Sequence, residues 1–312
     1  MEAIAPQATK NKAAPWHQSR RFNQLIHDVV VYALLIVLSL VFLFPFYWMI
    51  ASALKPDYLI FLWPPQWIPN PPLWSNFSEA FANPLLPFPL FFRNTMIIEI
   101  GMISGRLISC VLISYGFARL NAPGKDTLFA ILLATLMLPS AVTLIPRFIL
   151  FSRMGWLNTY LPLIVPAWFG EAYAIFLMRQ FFMSIPRELE EAAVLDGAGT
   201  LRIILYIIVP LSMPVLAVIT ILSFRDIWND FMGPLLYLNE LTKYPVSVGL
   251  TYFSGQFDVK MNLLMAASVV TMLPVVVVFF FAQRAFVEGI SLTGLKVSPG
   301  SSVKRLDHRK KR

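Results

Sequence analysis

Four carboxylates crowd into one stretch of an otherwise apolar chain: in SIPRELEEAAVLDGAG, Glu188, Glu190, Glu191 and Asp196 lie between two hydrophobic segments. Paired carboxylates suit acid–base catalysis when both converge on one substrate. Glu190 and Glu191 are adjacent, and adjacent helix positions point in different directions, so they do not converge. The histidines, His17, His27 and His308, are too far apart to suggest a metal site. Cys110 is alone in a hydrophobic segment and reads as a small packing residue. No GxxxxGK(S/T) loop occurs, so this chain is not expected to bind ATP. With no nucleophile–base constellation, the sequence reads as non-catalytic, with no cofactor or metal of its own.

Other charges fall inside hydrophobic runs, where they are expensive and point to function. Glu99 and Arg106 lie seven residues apart, about two turns along one helical face. Glu171 follows Trp168 and Phe169. Aromatic faces with a few polar groups suit a sugar, whose ring is apolar on its faces and hydroxylated at its edge. Glu171, Trp168, Glu99 and Arg106 are therefore candidates for a substrate path. The alternative is that these charges pair with each other or with a partner and fix packing. A second cluster, RDIWNDF, adds Trp228 and Asn229 beside Arg225, Asp226 and Asp230. It either shapes a pathway mouth or caps a helix end.

The elements that hold these groups belong to a membrane. Hydrophobic residues make up 57% of the 312 residues, charged ones 13%, and mean hydropathy is +0.67, too apolar for a soluble domain. A helix needs about 20 apolar residues to cross the hydrocarbon core. Six segments qualify, near 29–53, 94–118, 127–150, 158–182, 203–223 and 262–283. The fold class expected is all-α, a polytopic membrane protein with six transmembrane helices. The first run is too long for a signal core and reads as an uncleaved span. Lys10, Lys12, Arg20, Arg21, Arg119, Lys125, Arg179, Arg187, Arg202 and the tail KRLDHRKKR place both termini in the cytoplasm. That tail and the net charge of +8 suit an anionic lipid surface better than nucleic acid. The loop from Lys55 to Arg93 then lies outside, where WPPQWIPNPPLW forbids a regular helix and suits the interface.

The acidic stretch falls on the cytoplasmic side as a short helix. Ser184 is placed to cap it, Pro186 suits its first turn, and Gly197 and Gly199 let the chain turn back. A helix this short needs something packed on it. EAAVLDGAG followed by YIIVPLSMP resembles the EAA loop of ABC-importer permeases, EAA–x2–DGA with I–x–(L/V)P–x3–P. Glu191, Ala192, Ala193, Asp196, Gly197, Ala198, Ile207, Pro210 and Pro214 hold the matching positions. SFRDIWNDFMGPLLYL and AQRAFVEGISLTGLK are similar to the later segments of the maltose/oligosaccharide branch. The resemblance implies a type I ABC importer permease fold, with 1–28 and 284–312 as cytoplasmic tails. Residues 29–283 would form the transmembrane domain, with the EAA loop at 184–200. It further implies a second homologous permease, two ATPase subunits that bind ATP and magnesium, and an extracytoplasmic solute-binding protein. Glu191, Ala192, Ala193, Asp196 and Gly197 would form the ATPase-coupling knob in a bacterial inner membrane. A gradient-driven carrier acting alone would need its own ion site and two related halves. Neither is apparent, although Glu99 and Glu171 keep it as an alternative, as is an ABC permease for a non-sugar solute.

Overall fold

The computed structural model describes residues 20–83, 86–253 and 260–294, with side chains between residues 24 and 281. Most of the N-terminal tail and the basic KRLDHRKKR tail lie outside the described residues. Every element among the described residues is helical. In order they are α1 (Arg20–Ala53), α2 (Ser75–Ala82), α3 (Phe88–Arg119), α4 (Lys125–Ala134), α5 (Ser140–Arg153), α6 (Leu161–Ile164) and α7 (Ala172–Ser184). There follow α8 (Glu188–Leu195), α9 (Thr200–Ile203), α10 (Val209–Leu211), α11 (Met213–Trp228), α12 (Met232–Tyr237), α13 (Val246–Tyr252) and α14 (Met261–Gly294).

Four stretches are long and apolar enough to cross a membrane: Gln24–Ala53, Phe88–Arg119, Leu161–Ser184 and Met261–Phe281. Two further candidates are bent pairs, Lys125–Met137 with Ser140–Arg153 at 100° and Thr200–Leu211 with Met213–Trp228 at 79°. Counting each bent pair as one span gives the six expected. The 100° bend has a local cause. Leu138 precedes Pro139 and is driven out of the helical region to ψ 117°.

The long second span, α3, is the centre of the molecule and packs against α7, α11 and α13, while α14 packs against α1, α2 and α11. α1 presents Val30, Leu35, Leu40 and Phe42 on every side, all exposed. A helix apolar all round suits lipid or another membrane subunit. Two cores divide the bundle. One gathers Phe88, Phe91, Ile227, Val246 and Leu263 at one end. The other gathers Tyr115, Met178, Phe182, Ile185 and Ile203 at the end that bears α8.

The loop from Lys55 onward is irregular through its proline run, as expected, yet past Pro72 it forms α2 before prolines recur at Pro84, Pro87 and Pro89. Polar side chains pin this end. The Asn76 amide donates to the carbonyls of Ala53 and Lys55 at 2.9 and 2.8 Å, and Asn262 donates to the Asn76 side chain at 3.1 Å. Asn94 donates to Thr242 and Tyr244, and Val246 N–H donates to Thr95 Oγ1. Lys55 is buried, its ammonium 4.4 Å from the Trp48 ring and hydrogen-bonded to the Gln66 carbonyl; burial lowers its pKa.

Candidate functional site

Two features stand out, and α3 joins them. The first is α8, the acidic helix. Its start differs from the expectation in two respects: Ser184 does not cap it, and Pro186 lies before the cap residue Arg187 rather than in the first turn. Ser184 belongs to the end of α7, where its hydroxyl donates to the Phe181 carbonyl at 2.6 Å, and Arg187 occupies the cap position without a side-chain bond. Glu188, Glu190 and Glu191 lie in the first turn, where the helix dipole favours negative charge.

Its far end explains why DGA follows EAA. Gly197 adopts φ 80°, and its N–H donates to Val194 O at 3.0 Å while Ala198 N–H reaches Ala193 O at 2.9 Å. This is a Schellman closure, in which a left-handed glycine ends the helix and two apolar residues meet across the turn. Here those two are Ala193 and Ala198, both packed on the core at this end. Asp196 is the exposed residue before the glycine. Glu191 and Ala192 face outward, and beside them Val194 and Leu195 are bare, Leu195 at 88% exposure. Val194 and Leu195 thus make an exposed apolar tip on a helix outside the spans.

Glu190 behaves otherwise, which the sequence did not reveal. Its carboxylate turns inward to Arg119, 2.6 Å away, and accepts a 3.0 Å hydrogen bond from the Tyr115 hydroxyl. Tyr115 and Arg119 are four apart on α3, a spacing that puts both on one face. That spacing was visible, but its partner across the fold was not.

The second feature is a polar cleft of about 380 Å³ between α3, α7 and α11. It is lined by Arg106, Glu171, Tyr173, Ser223, Arg225 and Asp226, among others. Arg106 donates to Ser223 Oγ at 2.9 Å, and Arg225 is held by Asp226 at 2.8 Å. Glu171 sits where the span Leu161–Ser184 is interrupted. Gly170 takes φ 89°, Glu171 is extended, and its carboxylate accepts from the N–H groups of Tyr173 and Ala174 at 3.2 and 3.0 Å. It is an N-cap as well as a cleft residue. Irregular backbone is tolerated at membrane depth where it borders a cavity or protein.

The remaining candidates lie off that lining. Trp168 crosses α3 over Gly105, donating to Gly101 O at 3.1 Å; a Cβ on Gly105 would come within 2.3 Å of its ring. Trp228 is buried against Phe224 and Phe92, with centroids at 5.2 and 6.0 Å. Asn229 donates to Arg225 O at 2.7 Å, closing α11. Glu99 is buried on α3 at 3% exposure, one helical face from Arg106 but not in the cleft. Thus the structure brings Glu171 and Arg106 together and adds Ser223, Arg225, Asp226 and Tyr173.

Residues 110–292 match the family described as binding-protein-dependent transport system inner membrane component. The sn-glycerol-3-phosphate transport system permease protein UgpE of Yersinia pestis is 32% identical over 269 residues, covering 84% of this chain and 95% of its own. The protein of that name from Salmonella typhi is 31% identical over 265 residues, covering 83% and 94%. A crystal structure of a bacterial ABC transporter involved in the import of the acidic polysaccharide alginate has the same fold. It superposes with a TM-score of 0.76 at 23% identity, over 87% of this chain and 99% of that one.

Proposed function

The chain belongs to the binding-protein-dependent transport system inner membrane components, and from that premise we propose that it is one permease subunit of an ATP-driven importer for a sugar or oligosaccharide. It pairs with a second, homologous permease, and two ATPase subunits that bind ATP and magnesium sit beneath the pair. A solute-binding protein delivers the cargo from outside. The end carrying α8 is cytoplasmic, as are both termini. The chain performs no chemistry; it converts motion of the ATPases into opening and closing of a path.

The observation that carries this reading is the outward face of α8. Glu191, Ala192, Val194 and Leu195 stand exposed on a helix too short to be stable alone, closed by the Gly197 turn. Small side chains permit close approach by an ATPase groove, and Glu191 offers a carboxylate for a basic or hydrogen-bonding group there. The cleft supplies half of the path, with Arg106, Glu171, Ser223 and Asp226 as hydrogen-bonding groups for hydroxyls. Trp168, Glu99, Trp228 and Asn229 lie off its lining.

One observation favours a second cargo: two guanidinium groups, Arg106 and Arg225, line the cleft, and the relatives are named for sn-glycerol-3-phosphate. A polyol phosphate would suit them. Purification in mild detergent with mass spectrometry is expected to recover a second permease and an ATPase with this chain. Reconstituted with its binding protein, the complex should take up labelled oligosaccharide only with ATP. Uptake confined to sn-glycerol-3-phosphate would select the second cargo. A solitary chain moving solute on a proton or sodium gradient would overturn the proposal.

A further inference from the structure

Two consecutive glutamates on α8 have opposite fates. Glu191 faces out; Glu190 faces in, and both its oxygens are engaged by the last two turns of α3. Arg119 does more than pair with it. While its Nε lies 2.6 Å from Glu190 Oε1, a terminal amino group donates to the Ile185 carbonyl at 2.7 Å. Ile185 is the residue after α7, at the start of the link to α8. One guanidinium therefore ties together the end of the second span, the exit from α7 and the first turn of α8.

The ion pair is enclosed, with Arg119 6% and Glu190 12% exposed, and Tyr115, Ala118 and Ile185 are buried around it. An enclosed pair with fixed geometry gains little stability over an apolar contact, but it fixes one relative position of the elements that carry it. Without it, α8 is held to the bundle by the packing of Ala193, by the Tyr115 hydrogen bond to Glu190, and by two short links, through Pro186 on one side and the Gly197–Gly199 turn on the other.

We infer that Arg119 is a positioning residue for coupling: by clamping Glu190 and Ile185 it makes α8 and α3 one rigid body, so that displacement of α8 is delivered along α3 to the cleft. Arg106, on the cleft, lies thirteen residues up the same helix, about 20 Å at 1.5 Å per residue. A guanidinium suits the clamp because its forked donors reach two separate acceptors, Glu190 Oε1 and the Ile185 carbonyl, at once. The inference rests on the proposed ATP-driven importer.

The test is the ratio of solute transported to ATP hydrolysed in proteoliposomes holding the full complex. R119A is expected to keep ATP hydrolysis while the ratio falls about fivefold or more. E190Q, close in shape, should lower it less, and R119K should restore part of the loss. A merely structural role would change the amount of assembled complex and leave the ratio per complex untouched. Should R119A not assemble, E190Q and R119K decide: wild-type ratios in both would overturn the inference. A wild-type complex that couples normally beside an R119A complex with the same ratio overturns the inference alone. A wild-type complex with no ATP-driven uptake overturns the functional reading, and the inference with it.

Discussion

Gly197 and Glu171 show how one residue can carry two kinds of demand. At Gly197 an added Cβ would meet nothing within 4 Å, so substitution acts only through the positive φ. Forcing an L-residue there costs about 1–2 kcal/mol, most for a β-branched side chain. Gly197→Val is expected to lower uptake while membrane insertion stays normal, and Gly197→Asn, which tolerates that conformation, should retain most activity. Uptake by Gly197→Val at the wild-type rate would show that the turn does not matter for coupling. Glu171 is both an N-cap and a cleft carboxylate. Glu171→Ala should cost about 1 kcal/mol of stability from the lost cap, visible as a lower thermal midpoint. Glu171→Gln keeps an acceptor for the cap and removes the charge. Its midpoint should stay near wild type while the KM for uptake rises several-fold. Unchanged KM in Glu171→Gln would reduce the residue to a cap.

At the level of elements, much was legible because membrane physics is simple. Six apolar runs were read as six spans: three appear as single helices, Leu161–Ser184 is interrupted at Gly170–Glu171, and two are bent pairs. What the runs did not show was where a span breaks, because that depends on backbone donors rather than hydropathy. The fifth candidate passes through a widened turn at Ile204–Ile208, then Pro210, Ser212 and Pro214, and bends by 79°. Pro210 and Pro214 each withhold an N–H from the preceding turn. The acidic helix was legible as an element too, but not its start, which a Ser184 cap placed earlier than Glu188, nor the inward turn of Glu190. Its partners Tyr115 and Arg119 lie some seventy residues earlier, and no local pattern announces a contact of that separation. Pro214→Ala restores one donor and favours a straighter helix. Complexes carrying it are expected to assemble and hydrolyse ATP yet transport several-fold more slowly. Equal transport and hydrolysis would mean that the bend is a fixed shape and not a hinge.

For the whole molecule the decisive fact is incompleteness. α1 is exposed on every side from Gln24 to Tyr47, α8 shows a bare leucine, and the cleft is an open groove rather than a closed channel. A path that conducts a hydroxylated solute must be walled all round, since polar groups facing lipid would be costly. In the proposed importer the missing wall would come from the second permease, and the groove would change its exposure as the pair moves. Asp226 is exposed and lines the groove, whereas Cys110, the chain's single cysteine, is buried. Asp226→Cys is therefore a probe with little background from Cys110. In the assembled complex its reaction with a soluble maleimide should differ by about tenfold between the nucleotide-free state and a state trapped with ATP. The isolated chain, its groove uncovered, should react at one rate regardless of nucleotide. Equal rates in both states of the complex would mean that the groove does not alternate, and would leave α8 as a docking point with nothing to drive.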